Sequence, residues 1–273
     1  MKRGSDGMNE QGANALARLG FAARGLVYIM VGWFALDAAR TGGAPTDNQA
    51  AMASLIDKPF GHILLGLIAL GLAGYAFWRL TEAFFDPERH GTDAKGIFKR
   101  LGFAISGIAH ILLAWTAVKL ALHKSTDRGT MPGDDRAEDW TRWLLDQPAG
   151  TFLIGAIGII LFVVAGTQAV KSARCSFLKD LEGGTPAPSH VRTIGRLGYA
   201  ARAVVFVITG WFFVMAAWTS NAARAGGMGG ALRELQSHQQ GPMLLGIVAV
   251  GLTCFGLYSL VEARYRRVRV VTA

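Results

Sequence analysis

The chain has few cysteines and few charged residues. Two of its 273 residues are cysteine and 17% are Asp, Glu, Lys or Arg, whereas soluble proteins carry roughly 25% charged residues. Cys254 lies inside an apolar run and Cys175 in a polar segment, so the two thiols predict no disulfide. Because 51% of the residues are hydrophobic, a disordered chain is excluded.

Familiar catalytic and ligand-binding motifs are also missing from the sequence. It contains no His-Glu-x-x-His or Cys-x-x-Cys metal motif, no phosphate-binding Gly-x-x-x-x-Gly-Lys and no Gly-x-Ser-x-Gly turn. The glycine-rich stretch 226–230 follows no strand, which favours a flexible turn over a phosphate loop. The sequence therefore predicts no catalytic residue, no metal site and no cofactor.

Six apolar runs stand out against this background, each close to the ~20 residues that a helix needs to cross a bilayer. In hydrocarbon, a helix satisfies its own backbone hydrogen bonds, so the sequence predicts an all-α membrane protein with six transmembrane helices. The predicted spans are residues 19–39, 60–78, 101–122, 149–170, 197–218 and 242–261.

Basic residues are distributed unevenly between the two sides of these spans. If Arg24 and Arg202 are counted with the side where their helices begin, 19 of the 28 Lys and Arg lie on the side of both termini. Lys and Arg are enriched in cytoplasmic segments, so both termini are predicted to be cytoplasmic. The net charge of +9 thus reflects topology, and without one basic patch it predicts no nucleic acid partner.

Three parts of the chain are similar to one another. The odd-numbered runs begin with Arg-Leu-Gly-Phe/Tyr-Ala at Arg18, Arg100 and Arg196, and a Gly/Ala-Trp pair follows in register. Internal similarity of this kind indicates structural repeats. The predicted organisation is a polar tail (1–17), repeat 1 (18–83), a cytoplasmic loop (84–99), repeat 2 (100–172), a second cytoplasmic loop (173–195), repeat 3 (196–263) and a basic cytoplasmic tail (264–273).

Each repeat holds two spans, so all three repeats run in the same direction. They are therefore predicted to be parallel repeats around a pseudo-threefold axis along the membrane normal, and the inverted repeats of many carriers are excluded. Small residues recur two turns apart on one face of each odd helix, which predicts close helix contact. They are Gly25 and Gly32, Gly107 and Ala114, and Ala203 and Gly210.

The pattern resembles a bacterial family of integral membrane proteins built from three copies of the domain of unknown function 1206. The resemblance covers Arg18 to Arg264 and is carried by the Arg-Leu-Gly-Phe/Tyr-Ala start, the Gly/Ala-Trp pair and the Glu-Ala end of the even-numbered runs. It implies six spans in the bacterial inner (plasma) membrane and no established activity. The middle repeat departs from the pattern at Ser106 and Lys171.

Two arginines lie inside the predicted spans, about 9 Å of helix rise from their starts. Arg24 and Arg202 are matched by Glu82 and Glu262 at the ends of the even helices of the same repeats. In the middle repeat both members of the pair are replaced together, which predicts structural ion pairs of Arg24 with Glu82 and of Arg202 with Glu262. The alternative is that each side chain extends separately to the lipid headgroups.

The middle repeat also carries a candidate polar site. His110 lies near the middle of its span and Ser106 lies four residues earlier on the same face. Thr167 and Gln168 lie at roughly the depth of Ser106, so the four residues predict a small polar pocket. The alternative is a neutral histidine that is hydrogen-bonded to a neighbouring helix.

The basic tail and the composition suggest the partners. Four arginines follow the last span, and anionic lipid headgroups at the cytoplasmic face would attract them. We predict a scaffold or accessory membrane subunit with a membrane protein partner or a homo-oligomer; the alternative is a channel or small-solute carrier that uses the polar site. The four tail residues predicted to contact headgroups are Arg264, Arg266, Arg267 and Arg269.

Overall fold

The computed structural model describes the backbone of residues 3–86, 91, 93–122, 133–181 and 188–266. Within these ranges every regular element is a helix, which confirms the predicted all-α fold. Six long helices are apolar enough to span a membrane, as predicted. They are α1 (Arg3–Thr41), α3 (Gly61–Phe85), α4 (Ala94–Leu122), α6 (Gly150–Arg174), α7 (Ser189–Thr219) and α9 (Gly241–Tyr265).

A short helix joins the two long helices of each repeat, and these short helices were not predicted. Part of the stretch 226–230, predicted as a flexible turn, forms the first turn of one of them. That prediction was wrong because Ala231, Leu232 and Leu235 recur at helical spacing and bury their side chains. The short helices are α2 (Asn48–Ala53), α5 (Gly133–Leu145) and α8 (Met228–Ser237).

A glycine begins the second long helix of each repeat, and close backbone contact requires it. A Cβ added at Gly61, Gly150 or Gly241 would lie 1.8 Å from a carbonyl oxygen of the preceding connection. No side chain fits at that distance, so only glycine permits the tight connection between the short helix and the long one. This contact explains why the three glycines align.

The long helices pack against one another in the continuous order α4–α3–α1–α9–α7–α6, an arrangement here named the open ring. The second helix of each repeat packs against the first helix of the next: α3 against α4, α6 against α7, and α9 against α1. Within repeats, α1 packs against α3 and α7 against α9, but the described residues of α4 and α6 form no comparable interface. The ring is therefore open inside the middle repeat. The pseudo-threefold axis and the cytoplasmic position of the termini stay predictions.

The small residues predicted to allow close contact do so between repeats. A Cβ added at Gly25 would lie 2.8 Å from the carbonyl oxygen of Gly256, and one at Gly210 would lie 3.0 Å from that of Gly158. At Gly107 it would lie 2.8 Å from a leucine side chain of α3. Because glycine lets helix backbones approach, the helices of neighbouring repeats pack closely at these positions.

The outer surface of the bundle is apolar. Trp33, Trp115, Trp211 and Trp218 are exposed toward the ends at which the first helices of the repeats finish. Within the most apolar 18-residue stretch of each helix, 22% is buried in α4 and in α6, compared with 50% in α3 and in α9. Exposed tryptophan near helix ends and exposed aliphatic side chains between them are typical of a multi-pass membrane protein.

Candidate functional site

Buried charged side chains cluster where α3, α6 and α9 finish, a region here named the charged end. Arg24, only 6% exposed, lies at its centre. Its Nε donates to the Ser259 hydroxyl over 3.2 Å, its Nη1 to the Tyr75 hydroxyl over 2.7 Å and its Nη2 to the Glu262 carboxylate over 2.5 Å. Each guanidinium nitrogen thus has a partner, which stabilises a positive charge removed from water.

Glu82 occupies in repeat 1 the position of Glu262 in repeat 3, and its side chain is 1% exposed. It forms an ion pair on its own helix with Arg79, at an N–O distance of 2.5 Å. Arg79 Nε also donates to the Tyr75 hydroxyl over 2.9 Å. Because this hydroxyl accepts from both Arg79 and Arg24, it joins the two ion pairs into one network.

The ion pairs predicted within repeats are replaced by a pair between repeats. Arg24 bonds to Glu262 instead of Glu82, and among the described residues no ion pair joins Arg202 to Glu262. The predicted partners were wrong because the face of α1 that carries Arg24 packs against α9, where glycines of both helices bring the backbones together. The carboxylate at the end of α9 therefore meets the arginine of the following repeat in the ring.

Arg202 is surrounded by aromatic rings. Its guanidinium carbon lies 4.4 Å from the ring centroid of Phe255, 5.2 Å from that of Phe206 and 5.5 Å from that of Tyr28. Its Nε is buried and has no hydrogen-bond partner among the described residues. The positive charge of Arg202 is therefore stabilised by ring faces, in contrast to the carboxylate beside Arg24.

Arg266 is buried, with 6% of its surface exposed, which corrects the prediction that it contacts lipid headgroups. Its guanidinium lies 2.5 Å from Glu262 and 3.4 Å from Asp180. Burial opposes this charge, but the two carboxylates hold the pKa of Arg266 above its usual value. The prediction failed because the segment after α6 folds back, and Leu181 forms an antiparallel bridge with Arg266.

The other tail arginines have different surroundings. Arg264 is exposed, and its carbonyl oxygen accepts a hydrogen bond from Arg18 Nη1 over 3.3 Å. Arg267 and Arg269 lie outside the described residues. Contact of Arg264 with headgroups stays a prediction, whereas its backbone links the end of α9 to α1.

The structure does not bring together the four residues of the predicted polar pocket. His110 Nδ1 lies 2.7 Å from the Ser106 carbonyl oxygen, and its ring centroid lies 4.5 Å from that of Tyr75 on α3. Thr167 is exposed on α6, and Gln168 is buried beside α7. Because α4 and α6 form no extended interface, no hydrogen bond or ring contact joins the two pairs among the described residues.

Equivalent positions show how the middle repeat differs from its neighbours. A Cβ added at Gly20 would lie 2.5 Å from the Tyr75 Cβ of α3, and one at Gly198 would lie 2.5 Å from the Phe255 Cα of α9. Gly102, the equivalent residue of α4, has no such neighbour within 4 Å. Its own repeat therefore leaves this part of α4 uncovered.

A second set of equivalent positions carries a sequence signal for the opening between α4 and α6, and the sequence analysis missed this signal. Gly71 of α3 and Gly251 of α9 pack against alanines of the first helix, at 2.7 and 2.4 Å from an added Cβ. The middle repeat has Ile105 and Ile160 at these positions, 40% and 37% exposed. Two branched side chains in place of glycine and alanine prevent the close approach that the other repeats use.

The network of the charged end also contains residues that were not predicted from the sequence. Arg79 carried a detectable signal, since it precedes Glu82 by three positions on one helix. Tyr75 looked like an ordinary packing aromatic. Asp180 carried no signal, because its contact with Arg266 depends on how the segment after α6 folds back.

Comparisons with known proteins support the three repeats. The Domain of Unknown Function (DUF1206) matches three times, at residues 19–86, 101–174 and 197–266. The chain is 31% identical over 252 residues to an uncharacterized protein, YxxB, of Bacillus subtilis (strain 168), covering 91% of this chain and 90% of that protein. No solved structure matches the chain. The chain belongs to the DUF1206 family, whose domain it carries in three copies.

Proposed function

We propose that the protein is a non-catalytic scaffold or accessory subunit of the bacterial inner (plasma) membrane. Its partner is a different membrane protein, one of whose spanning helices packs into the gap between α4 and α6. The open middle repeat carries this proposal: the described residues of α4 and α6 form no extended interface, although the equivalent helices pack in repeats 1 and 3.

The two closed repeats indicate what fits the gap. In both, the second helix places an aromatic residue against a glycine of the first: Tyr75 against Gly20, and Phe255 against Gly198. Gly102 keeps the glycine, but nothing on α6 covers it. A partner helix that places a side chain on Gly102 would complete the arrangement, so an apolar helix is the occupant that the neighbouring repeats favour.

The α4 wall of the gap supports the same occupant. Gly102 is exposed on α4, and a Cβ added there would meet nothing within 4 Å. In a bilayer, apolar surface alone does not drive helices together, because lipid chains are equally apolar. Glycines that expose backbone allow the close packing that does. Gly102 on α4 supplies such a position.

A channel or small-solute carrier, the alternative function, would need a continuous polar path. His110 contacts the Ser106 carbonyl oxygen and Tyr75 of α3, whereas Gln168 is buried on α6. The separation of these groups favours the scaffold.

Photo-crosslinking in native membranes tests the proposal. A photoreactive amino acid at Ile160, on the α6 wall of the gap, is expected to form an adduct with one membrane protein. The matched control is Ile247, an equally apolar, exposed residue of α9, which is flanked by α1 and α7. No adduct at Ile160, equal adducts at both sites, or an adduct with a second copy of this chain would contradict a heterologous partner.

A further inference from the structure

Arg202 occupies in repeat 3 the position of Arg24 in repeat 1, but no carboxylate pairs with it. Both oxygens of Glu262 are engaged, one by Arg24 and the other by Arg266. Among the described residues Arg202 forms no ion pair and no hydrogen bond, and its side chain is half-buried. Since a guanidinium group carries five N–H donors, Arg202 retains donors for a further partner.

The Arg202 side chain points to the inner side of the open ring. Its guanidinium carbon lies 4.4 Å from the ring centroid of Phe255 of α9 and 5.5 Å from that of Tyr28 of α1. The described residues of α1 and α7 form no extended interface, because α9 lies between the two helices. Arg202 therefore reaches Tyr28 across the inner side of the ring.

His110 of α4 borders the same interior region. Its ring centroid lies 4.5 Å from that of Tyr75, whose hydroxyl accepts from Arg24. Arg24 and Arg202 share the ring of Phe255, at 5.1 and 4.4 Å from its centroid. The charges of Arg24 and Arg202 both act electrostatically on His110. His110 and Arg202 thus lie on either side of one interior region next to Arg24.

The α4 side of this region offers two polar atoms. His110 Nδ1 donates to the Ser106 carbonyl oxygen over 2.7 Å, so Nε2 of the neutral ring is an acceptor. Ser106 lies one turn from His110 on the same face of α4, and both residues are half-buried. Neither Nε2 nor the Ser106 hydroxyl forms a hydrogen bond among the described residues. Both atoms can therefore bind a ligand.

The gap between α4 and α6 leads from the bilayer to this region. Its walls are apolar, with Ile105 and Ile160 40% and 37% exposed. An amphiphile can bring an acid group to Arg202 through this gap while its chain stays between the apolar walls. A carboxyl group suits the polar atoms, because its oxygens accept from an arginine and its O–H donates to a neutral histidine.

We infer that Arg202, Ser106 and His110 bind the carboxyl group of a fatty acid inside the open ring, with its acyl chain between α4 and α6. One carboxyl oxygen accepts from Arg202 and Ser106, and the acid proton is held between the other oxygen and His110 Nε2. The ligand supplies beside Arg202 the carboxyl group that Glu262 supplies beside Arg24. The inference does not rest on the partner helix proposed above, which the purified protein lacks.

Arg202→Gln tests this site. The purified protein in detergent micelles is titrated with tritiated oleate, a fatty acid with one chain. The wild type should bind oleate roughly tenfold more tightly than Arg202→Gln does, because the variant loses the charged donor. Unlabelled oleate should displace the label, whereas the same concentration of oleyl alcohol, which has the same chain without the acid group, should not.

Two further variants separate the site from general attraction of acids. Arg196→Gln makes the same substitution at an exposed position nearer the beginning of α7 and should keep the tight binding. His110→Phe introduces the equivalent residue of repeat 3 and should weaken binding, which keeps the test decisive if Arg202→Gln fails to fold. Displacement by acetate at the concentration used for oleate would support the carboxyl site and show that its ligand comes from solution.

Three results would overturn the inference. Tight oleate binding that persists in both Arg202→Gln and His110→Phe would place the fatty acid elsewhere. Equal loss of binding in Arg196→Gln and Arg202→Gln would show that α7 attracts acids without a defined site. Displacement by oleyl alcohol that matches displacement by oleate would exclude recognition of the acid group.

Discussion

Arg24 and Glu262 lie 238 positions apart in the chain, and their side chains form a buried ion pair with an N–O distance of 2.5 Å. The pair joins the first and last spans and closes the ring between repeats 3 and 1. Arg266 binds the second oxygen of the same carboxylate, so Glu262 holds two arginines. One carboxylate thereby fixes the relative positions of the two ends of the membrane-spanning region.

Arg24→Ala and Glu262→Ala should each destabilise the protein by about 3–5 kcal/mol, because each leaves a buried charge without its main partner. The double variant should lose clearly less stability than the sum of the two single losses, since the two residues stabilise the protein through one shared interaction. Thermal or denaturant unfolding in detergent measures this coupling. The control is Arg24→Ala with Glu82→Ala, for which the coupling should be smaller. Additive losses for Arg24 and Glu262 would contradict the observed pair.

Tyr75→Phe should lower the free energy of unfolding more than Tyr258→Phe does, although both substitutions remove one buried hydroxyl. The Tyr75 hydroxyl accepts from Arg24 and Arg79, whereas the Tyr258 hydroxyl donates to one backbone carbonyl, that of Phe177, over 3.0 Å. Two charged donors lose an acceptor in the first variant, a loss of about 1–3 kcal/mol each for a buried group. Unfolding in detergent measures the two free energies of unfolding. Equal losses in the two variants would contradict a Tyr75 hydroxyl that accepts from both arginines.

Gly25→Ala and Gly66→Ala should have opposite consequences. A Cβ at residue 25 would lie 2.8 Å from the Gly256 carbonyl oxygen, so alanine forces α1 and α9 apart and should cost about 1–3 kcal/mol. A Cβ at residue 66 meets nothing within 4 Å, and alanine there should leave stability unchanged or raise it by up to about 1 kcal/mol. Melting temperatures of both variants test this, and a neutral Gly25→Ala would argue against tight α1–α9 packing.

Single cysteines at Asp135 and Thr193 test the predicted orientation. Both positions are exposed, and they lie in segments predicted to face opposite sides of the membrane. In a background without the two native cysteines, a membrane-impermeant maleimide added to intact cells should label Asp135→Cys and spare Thr193→Cys. Labelling of only Thr193→Cys would show that the orientation is opposite to the predicted one.

The six helices and the three repeats were predictable because both depend on local patterns. A span is recognised by the length of its apolar run, and the repeat by positions such as Arg18 and Arg196 that recur in register. The small positions were predictable for the same reason, since Gly25 and Gly32 recur at helical spacing. These features need no knowledge of which helix packs against which.

The partners within the charged end could not be predicted in this way. Glu82 and Glu262 are equivalent in sequence, and only the arrangement of helices decides that Glu262 meets Arg24 of another repeat while Glu82 pairs with Arg79. Arg266 looked like part of an exposed basic tail until the segment after α6 supplied Asp180. Long-range packing, rather than residue type, determines these contacts.

Oxidative crosslinking of engineered cysteine pairs tests the open middle repeat most directly. In a background without native cysteines, Gly155→Cys with Ala217→Cys should crosslink, because a Cβ added at Gly155 would lie 3.6 Å from the Ala217 Cβ, a separation that suits a disulfide. Ile105→Cys with Ile160→Cys occupies the positions at which an alanine and a glycine pack together in repeats 1 and 3, and this pair should remain uncrosslinked under the same conditions. Efficient crosslinking of the second pair would show that α4 packs against α6 as the other hairpins do, which would contradict the open middle repeat.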